Sequence, residues 1–218
     1  MTLATAARPS ARLSAELKDS TAQAHERAEH SNFMGQLLAG ELDADAYAAL
    51  HGQMWFVYSA LERAARAVAG DPIAANIIDP RLERVPALEA DLDALHGSSE
   101  WRARLRPLPA TEAYVARLDH IAQTGDAARL VAHHYVRYLG DLSGGQVISR
   151  MVQRHYGVSD NAVTFFTFAG IGKLKPYKDA YRAALDNIQL DDAARAQLLD
   201  EAAVAFLMNL EVFMELGD

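Results

Sequence analysis

The chain has 218 residues, no cysteine and a formal net charge of −8 at pH 7. The lack of cysteine excludes disulfides, thiolate catalysis, iron–sulfur clusters and thiolate-bound metals, and the acidic balance without an extended basic face argues against nucleic-acid binding. A hydrophobic content of 50% with few alternating β-branched runs predicts an ordinary soluble, all-α protein. We expect residues 11–218 to form a single-domain, multi-helix bundle.

Neither end of the chain predicts a secretory or membrane segment. Residues 1–10 lack an apolar core of useful length, so we predict a flexible arm there and no signal peptide. Near the other end, the apolar stretch Ala202 to Leu216 is interrupted by Asn209, Glu211 and Glu215. It is too short and too acidic to span a bilayer. We therefore predict a buried helix, no membrane anchor and a cytoplasmic protein.

Apolar spacing and stop signals give the helix predictions along the chain. Gly40 and Gly70 are placed to end the second and third helices, and Asp43 or Asp45 can cap the third one. The stretch Phe165 to Lys175 contains two glycines and is predicted as a loop. In chain order the predicted helices cover Leu13 to Ala28, Phe33 to Ala39, Ala46 to Ala69, a helix kinked at Pro86 that ends at Leu95, Trp101 to Leu105, a helix capped by Thr111 that ends near Gly125, Ala127 to Tyr156, Pro176 to Ile188, and a last helix from Asp191 or Asp192.

The most informative stretch is Tyr135 to Gln146, with the sequence YVRYLGDLSGGQ. It lies in a predicted helix, where each of its three glycines costs about 1 kcal/mol relative to alanine. On a helical projection Gly140, Asp141, Gly144 and Gly145 share one face. Such a face lets a flat object approach the backbone, or lets the helix bend over it. A Gly-Gly turn at a helix end and a small-residue helix crossing are the alternatives.

His25 stands out among the eight histidines of the chain. Glu29 lies four residues later on the same side of the first predicted helix, as does Lys18 two turns earlier. A histidine that binds a metal usually has a hydrogen-bonding partner on its second ring nitrogen, and Glu29 is suitably placed for that role. The alternative is an ordinary His–Glu pair on an amphipathic helix.

The remaining histidines do not predict a metal site. His133 and His134 are adjacent and therefore point to different faces of a helix. The chain contains no HExxH motif and no paired ExxH motif, so zinc-hydrolase and di-iron sites lack sequence support. We predict that the other histidines are surface residues or are satisfied in the core, namely His30, His51, His96, His120 and His155.

A basic pair, Lys178 and Arg182, has i, i+4 spacing in the predicted Pro176 helix, with Tyr181 beside it. Two cations one turn apart suit carboxylate groups, although such pairs are usually solvated surface. Together with an axial histidine and a glycine-faced helix, the pair would suit a flat, dianionic metal macrocycle, which indicates haem.

At this point the sequence resembles the haem oxygenases, because the Tyr135 to Gln146 motif looks like the signature of their distal helix. The resemblance implies a single all-α domain with haem sandwiched between a proximal helix and a kinked distal helix. It extends over most of the chain and includes Leu13-Ser14, Ala24-His25 with Glu29, Val57 to Glu62, Phe165 to Phe168 and Ala205 to Asn209.

The resemblance assigns residues on both sides of the haem. It implies that His25 is the proximal iron ligand and that Glu29 is its hydrogen-bonding partner. It implies that the backbone of Gly140 and Gly144 touches the distal face of the haem. Asp141 matches the carboxylate that orders distal water.

The resemblance also assigns a distal polar network and a set of haem propionate contacts. The network residues are Tyr58, Arg137 and Asn209. The propionate contacts are Lys18, Tyr135, Lys178 and Arg182. Two positions depart from the family pattern: Ala22 replaces a second propionate-binding lysine of some members, and Val136 replaces a threonine.

The reaction that the resemblance implies is the cleavage of haem to biliverdin, with release of carbon monoxide and ferrous iron. Haem is then both substrate and cofactor, and O2 and external electrons are consumed. A ferredoxin or a flavin reductase is the implied electron donor, and a monomer is expected.

Two other functions stay open from the sequence alone. One is a haem storage or trafficking protein of the same fold without ring cleavage, against which Asp141 argues. The other is a thiamin-degrading or di-iron enzyme on a related scaffold. The thiamin-degrading enzyme typically needs a cysteine, and the di-iron enzyme needs a carboxylate–histidine cluster.

Overall fold

The computed structural model of the protein describes residues 12–218, so the arm predicted at residues 1–10 lies outside the described residues. The described part is a bundle of α-helices without strands, which confirms the predicted all-α class. Its helices are α1 (Leu13–Glu29), α2 (Asn32–Ala39), α3 (Ala44–Val68), α4 (Val85–His96), α5 (Trp101–Arg104), α6 (Pro109–Thr124), α7 (Ala127–His134), α8 (Gly140–Tyr156), α9 (Leu174–Asp186) and α10 (Asp192–Gly217). Short 3₁₀ turns lie at Pro80–Leu82, Asp160–Ala162, Thr164–Phe166 and Ala169–Ile171.

The helix at the centre of the bundle is α3, which is buried along most of its length. Asp43 caps its first turn, because the side chain accepts a hydrogen bond from the backbone N–H of Ala46 at 2.8 Å. Farther along, Val57, Tyr58 and Leu61 are completely buried. The helices α4, α6 and α7 pack around α3, and α10 packs against α1, α6 and α7. The hydroxyl of Tyr58 is therefore held in place from within the core.

One predicted helix kink and two predicted helix starts are wrong, and each error involves a proline. Pro86 lies in the first turn of α4, after the 3₁₀ turn Pro80–Leu82, so it begins a helix and does not kink one. The helix α6 begins at Pro109, so Thr111 is not its cap but a buried residue of its first turn. The helix α9 begins two residues before Pro176. Proline suits a first helical turn because the N–H groups there need no helical partner.

A π-helical turn at Tyr135–Leu139 divides the segment that was predicted as one helix, Ala127 to Tyr156. The helix α7 ends at His134, just before this turn, and α8 begins at Gly140, just after it. Such turns are rare, interrupt the regular hydrogen-bond ladder and bend helices. The irregularity expected from the glycine run therefore precedes the glycines.

The predicted loop that begins at Phe165 supports α8 with aromatic side chains. The Asp91 carboxylate accepts hydrogen bonds from the backbone N–H groups of Thr164 and Phe165, both at 2.8 Å. The side chains of Phe165 and Phe166 in this loop are buried. A buried carboxylate thus fixes the loop, and the loop places Phe166 against α8.

Gly145 is the position where Phe166 meets α8. A Cβ atom on Gly145 would lie 2.8 Å from Cδ1 of Phe166. In contrast, a Cβ atom on Gly140 or Gly144 would have no neighbour within 4 Å. The prediction that Gly145 shares an open face with Gly140 and Gly144 is therefore wrong, since Gly145 packs against the core.

The C-terminal helix α10 is buried along one face only, so the predicted buried helix is confirmed in part. Leu198, Ala202, Ala205 and Val212 are completely inaccessible to solvent, whereas Leu207 and Met214 are exposed. Within residues 12–218, no helix combines the length and the apolar character needed to cross a membrane.

These contacts predict opposite effects of alanine at two neighbouring glycines. Gly145→Ala should lower the free energy of unfolding by about 1–3 kcal/mol, because its methyl group collides with Phe166. Gly144→Ala should raise it by about 0.4–1 kcal/mol, because alanine reduces the entropy of the unfolded chain and meets no neighbour. Urea unfolding measures both values. Equal changes in the free energy of unfolding for the two substitutions would contradict the conclusion that Gly145 packs against Phe166 while Gly144 faces open space.

Candidate functional site

Four polar side chains from separate elements meet in one hydrogen-bonded network. Tyr58 of α3 donates a short hydrogen bond to the Asp141 carboxylate of α8. Arg137 of the π-helical turn donates through Nε to the Tyr58 hydroxyl at 3.2 Å, and through Nη1 to the side-chain oxygen of Asn209 on α10. We call these four residues the distal network. The network contains the four residues that the sequence analysis grouped on the distal side.

Arg137 is the hub of the distal network, and only 10% of its side chain is exposed. Its guanidinium lies 5.0 Å from the centre of the Tyr58 ring and 3.9 Å from the Asp141 carboxylate. Its Nη2 also donates to the sulfur of Met54 at 3.1 Å. Burial opposes the charge, but the field of Tyr58 and Asp141 raises the pKa of Arg137 overall, so the guanidinium stays protonated.

The sequence analysis missed two further members of this environment. Met54 is an apolar residue in a helix core, and nothing in the sequence marks its sulfur as an acceptor for Arg137. Tyr114 is completely buried on α6 and hydrogen-bonds to Asn209; burial raises its pKa to about 12. Both residues are far from the Tyr135 to Gln146 motif in sequence, so only the fold brings them to it.

Asp141 has the chemistry of a group that can exchange a proton near neutral pH. Burial raises its pKa from 3.8 to about 6, against the opposing effects of the Arg137 charge and the Tyr58 hydrogen bond. Such a carboxyl is partly protonated and partly ionised under physiological conditions. This is the property required of an acid–base residue.

The backbone beside Asp141 is open. Gly140 is exposed and Gly144 is partly exposed, and added side-chain atoms at either position would reach empty space. A flat group could therefore approach the main chain of α8 without meeting side chains from these two residues. The face that was predicted from the glycine spacing is confirmed for Gly140 and Gly144.

His25 and Glu29 form the predicted pair on α1. The imidazole Nδ1 lies 3.4 Å from a Glu29 carboxylate oxygen, and 51% of the His25 side chain is exposed. The ring of Phe206 stands edge-on to the His25 ring, with the ring centres 5.7 Å apart. Because Glu29 occupies Nδ1, the second nitrogen, Nε2, is the one that can bind a metal.

The helices that carry His25 and the two open glycines do not pack on each other. Among the described residues, α1 packs against α10, α9 and α2 and has no comparable interface with α8. An imidazole and a stretch of bare backbone are groups of the kind that can contact a flat, metal-centred ring.

The predicted cations occupy α1 and α9. Lys18 is exposed, while Lys178 and Arg182 are partly exposed. Lys178 reaches from α9 to α8, where its ammonium donates to the Ser143 hydroxyl at 3.3 Å. Arg182 pairs with Asp179 at 3.3 Å on its own helix.

Tyr135 is the predicted propionate contact that the structure buries most deeply, with 8% of its surface exposed. It hydrogen-bonds to Thr21 of α1 and lies within the field of Arg182. Burial raises the pKa of its hydroxyl. The hydroxyl therefore joins the π-helical turn to α1 as a neutral hydrogen-bonding group.

The adjacent histidines make separate core contacts, as their sequence spacing predicts. His133 lies 3.2 Å from the Tyr114 hydroxyl and 2.9 Å from the Glu201 carboxylate. His134 is hydrogen-bonded to the Tyr181 hydroxyl at 2.8 Å. The sequence analysis predicted none of these three contacts, because each partner lies on another helix.

Comparisons with known proteins place the chain among haem-degrading enzymes. The family model described as "Heme oxygenase" matches residues 11–215. Heme oxygenase 1 of Synechocystis sp. is 38% identical over 207 residues, covering 95% of this chain and 85% of that protein. Heme oxygenase 1 of Gallus gallus is 37% identical over 204 residues, covering 92% and 68% respectively.

Solved structures agree with the sequence matches. The heme complex of heme oxygenase-1 from Synechocystis sp. superimposes with a TM-score of 0.89 and 37% identity, covering 94% of this chain and 92% of that chain. Heme oxygenase from Leptospira interrogans gives a TM-score of 0.89 and 32% identity, with coverages of 94% and 100%.

The raised pKa of Asp141 predicts a pH-dependent stability difference in the haem-free protein. The pKa of this carboxyl is about 6 in the folded protein against 3.8 ordinarily, so the folded protein holds the proton more tightly than the unfolded chain does. Ionisation of Asp141 therefore lowers the free energy of unfolding as the pH rises above about 4, and the full loss is reached above about pH 6. Asp141→Asn removes this loss. The difference in free energy of unfolding, Asp141→Asn minus wild type, should therefore be larger at pH 7 than at pH 4 by about 1–3 kcal/mol.

Urea unfolding at the two pH values measures this difference. The matched control is Asp119→Asn, at a carboxylate that is 40% exposed and pairs with Arg63. A stability difference between Asp141→Asn and wild type that does not change with pH would contradict the assignment.

Proposed function

This chain belongs to the heme oxygenase family, and we propose how its own residues perform the reaction. The protein is a haem oxygenase: it cleaves haem to biliverdin and releases carbon monoxide and ferrous iron. Haem is both its substrate and its prosthetic group. When bound, haem supplies the iron that activates O2 and the ring that is opened.

His25 is the proposed iron ligand, through Nε2. Its contact with Glu29 at Nδ1 favours the tautomer that leaves Nε2 unprotonated and fixes the ring orientation. The edge-on ring of Phe206 restricts rotation of the imidazole further. A neutral imidazole donates less electron density than a thiolate, which suits a site whose target is the ring itself.

The distal network is the proposed proton-handling device, and it is the observation that carries the mechanism. Asp141 holds or releases a proton near neutral pH, while Tyr58 and Arg137 fix its carboxylate. Water held by this carboxylate would be oriented toward the open backbone of Gly140 and Gly144. A protein that only stored or carried haem would not need an acid–base carboxyl at this place.

We propose that the haem propionates are held by the cations of α1 and α9 and by one buried hydroxyl. These residues are Lys18, Tyr135, Lys178 and Arg182. Ala22, one turn after Lys18, is exposed and offers no charge. Val136, in the π-helical turn, is buried and offers no hydroxyl. Propionate binding thus depends mainly on α9 in this member of the family.

The remaining partners are also proposals. Electrons come from an external donor, a ferredoxin or a flavin reductase, since a chain without cysteine holds no iron–sulfur cluster of its own. O2 is the co-substrate. We propose that residues 11–218 act as one domain of a cytoplasmic monomer. Among the described residues, the exposed large apolar side chains are few: Val147 on α8, and Leu207 and Met214 on α10.

Replacement of the acid–base carboxyl should separate haem binding from ring cleavage. Asp141→Asn keeps the size of the side chain but replaces its carboxylate, so biliverdin formation should fall about a hundredfold, or about 2.7 kcal/mol of barrier. Haem affinity, measured by absorption titration, should change little. Asp119→Asn is the control and should keep wild-type turnover. Wild-type turnover in Asp141→Asn would show that another group handles the proton.

Removal of the iron ligand should have a different signature. His25→Ala should abolish biliverdin formation and change the absorption spectrum of bound ferric haem, because the axial nitrogen is lost. His30→Ala is the matched control, since His30 is exposed just after α1 and its Nδ1 lies 2.9 Å from the Glu26 carbonyl. If His25→Ala retained the wild-type spectrum and activity, a different residue would be the ligand.

A further inference from the structure

The helix α9 carries Lys178 and Arg182, yet its backbone has an extended interface with only one other described helix, α1. At that interface the backbone N–H of Ser14 donates to the Asp186 carboxylate at 2.8 Å. The position of α9 relative to the π-helical turn and α8 therefore depends on side-chain contacts.

Two tyrosines one helical turn apart supply contacts on the side of α9 that faces the core. Tyr177 donates to the Asp79 carboxylate at 2.7 Å. Tyr181 is hydrogen-bonded to Nδ1 of His134 at 2.8 Å. Each tyrosine immediately precedes one of the two cations in sequence, since Lys178 follows Tyr177 and Arg182 follows Tyr181. A shift of either tyrosine therefore moves the adjacent cation.

The contact between Tyr181 and His134 joins α9 directly to the distal segment. His134 is the last residue of α7, immediately before the π-helical turn, and is almost completely buried. Its ring is nearly parallel to the Tyr181 ring, at an angle of 7° with the centres 5.8 Å apart. The ring of Tyr138 also lies close to the imidazole, with ring centres 4.4 Å apart.

The pair is neutral. Burial lowers the pKa of His134 to about 3 and raises the pKa of Tyr181 well above its ordinary value. A neutral imidazole has one donor and one acceptor nitrogen, so the hydrogen bond to the hydroxyl is directional and does not change with pH near neutrality. The contact therefore contributes position and not charge.

We propose that His134 and Tyr181 form a link that sets where α9 holds Lys178 and Arg182, and thereby which edge of the haem ring faces Asp141. The inference rests on the proposed function, because it assumes that the two cations bind the propionates. His134 and Tyr181 are positioning residues in this scheme. If the link moves, the propionates move with α9, the ring rotates in its plane, and a different bridging carbon lies near Asp141.

The first test uses the haem-free protein. Tyr181→Phe keeps the stacked ring and removes only the hydroxyl, so amide hydrogen exchange across Leu174–Asp186 should become faster. Tyr47→Phe is the matched control: Tyr47 is also buried, and its hydroxyl lies 3.1 Å from Nε2 of His51, away from α9. It should lower the melting temperature similarly without faster exchange in α9. Unchanged exchange of α9 in Tyr181→Phe would overturn the link.

The second test reads the product. In Tyr181→Phe and His134→Leu the ratio of biliverdin isomers, separated by chromatography, should change about fivefold, which corresponds to about 1 kcal/mol between two seatings of the ring. His134→Asn should shift the ratio less, because its amide oxygen can still accept from the Tyr181 hydroxyl. Tyr47→Phe should give the wild-type ratio.

Two further outcomes separate this inference from the proposed function. If Lys178→Ala with Arg182→Ala changed the isomer ratio while Tyr181→Phe and His134→Leu did not, the link would be overturned and the propionate assignment would stand. If the wild type made no biliverdin, the proposed function would fail. The hydrogen exchange of α9 in the haem-free protein would then still decide whether the link exists.

Discussion

The structure of the distal side depends on one constraint, the buried charge of Arg137. An ionised side chain that is 10% exposed needs partners for its N–H groups, since an unpaired buried charge costs several kcal/mol. The hydroxyl of Tyr58, the carboxylate of Asp141, the amide oxygen of Asn209 and the sulfur of Met54 surround it. They come from α3, α8 and α10. The charge thus fixes the π-helical turn relative to three helices, and with it the start of α8.

The placement of α8 explains why the glycine motif performs two tasks. Gly140 and Gly144 leave the backbone open beside Asp141, whereas Gly145 lets Phe166 pack closely against α8. The Phe166 loop is itself held by the buried carboxylate of Asp91. Both features are needed in the proposed mechanism. The open backbone at Gly140 and Gly144 leaves room for the substrate, and the packing of Phe166 at Gly145 keeps α8 from moving, so that Asp141 stays at a fixed distance from the substrate. Spacing alone could not separate the two kinds of glycine.

The parts of the site that were predictable from sequence are local. The His25–Glu29 pair follows from i, i+4 spacing, and Gly40 and Gly125 end helices because both adopt a left-handed backbone conformation there. Contacts between distant segments were not predictable from residues alone. Arg137 and Asn209 were assigned to one network only through the family resemblance, and neither the bond between them nor the Met54 contact was predicted. The prolines misled for a related reason: a proline near a helix start and one inside a helix look alike in sequence, and tertiary packing decides between them.

The two sides of the site differ in how far they are organised before haem arrives. The side chains of His25 and Glu29 are 51% and 61% exposed, whereas those of Arg137 and Asp141 are 10% and 11% exposed. His25, the proposed ligand, is exposed, which would let the iron approach and leave without opening the core. A buried acid–base group is already oriented by its hydrogen bonds, so no reorganisation is needed when charge develops near it. This asymmetry suits an enzyme whose substrate is also its prosthetic group. In the proposed mechanism the His25 side exchanges the ring in every cycle, while the Asp141 side keeps one geometry throughout.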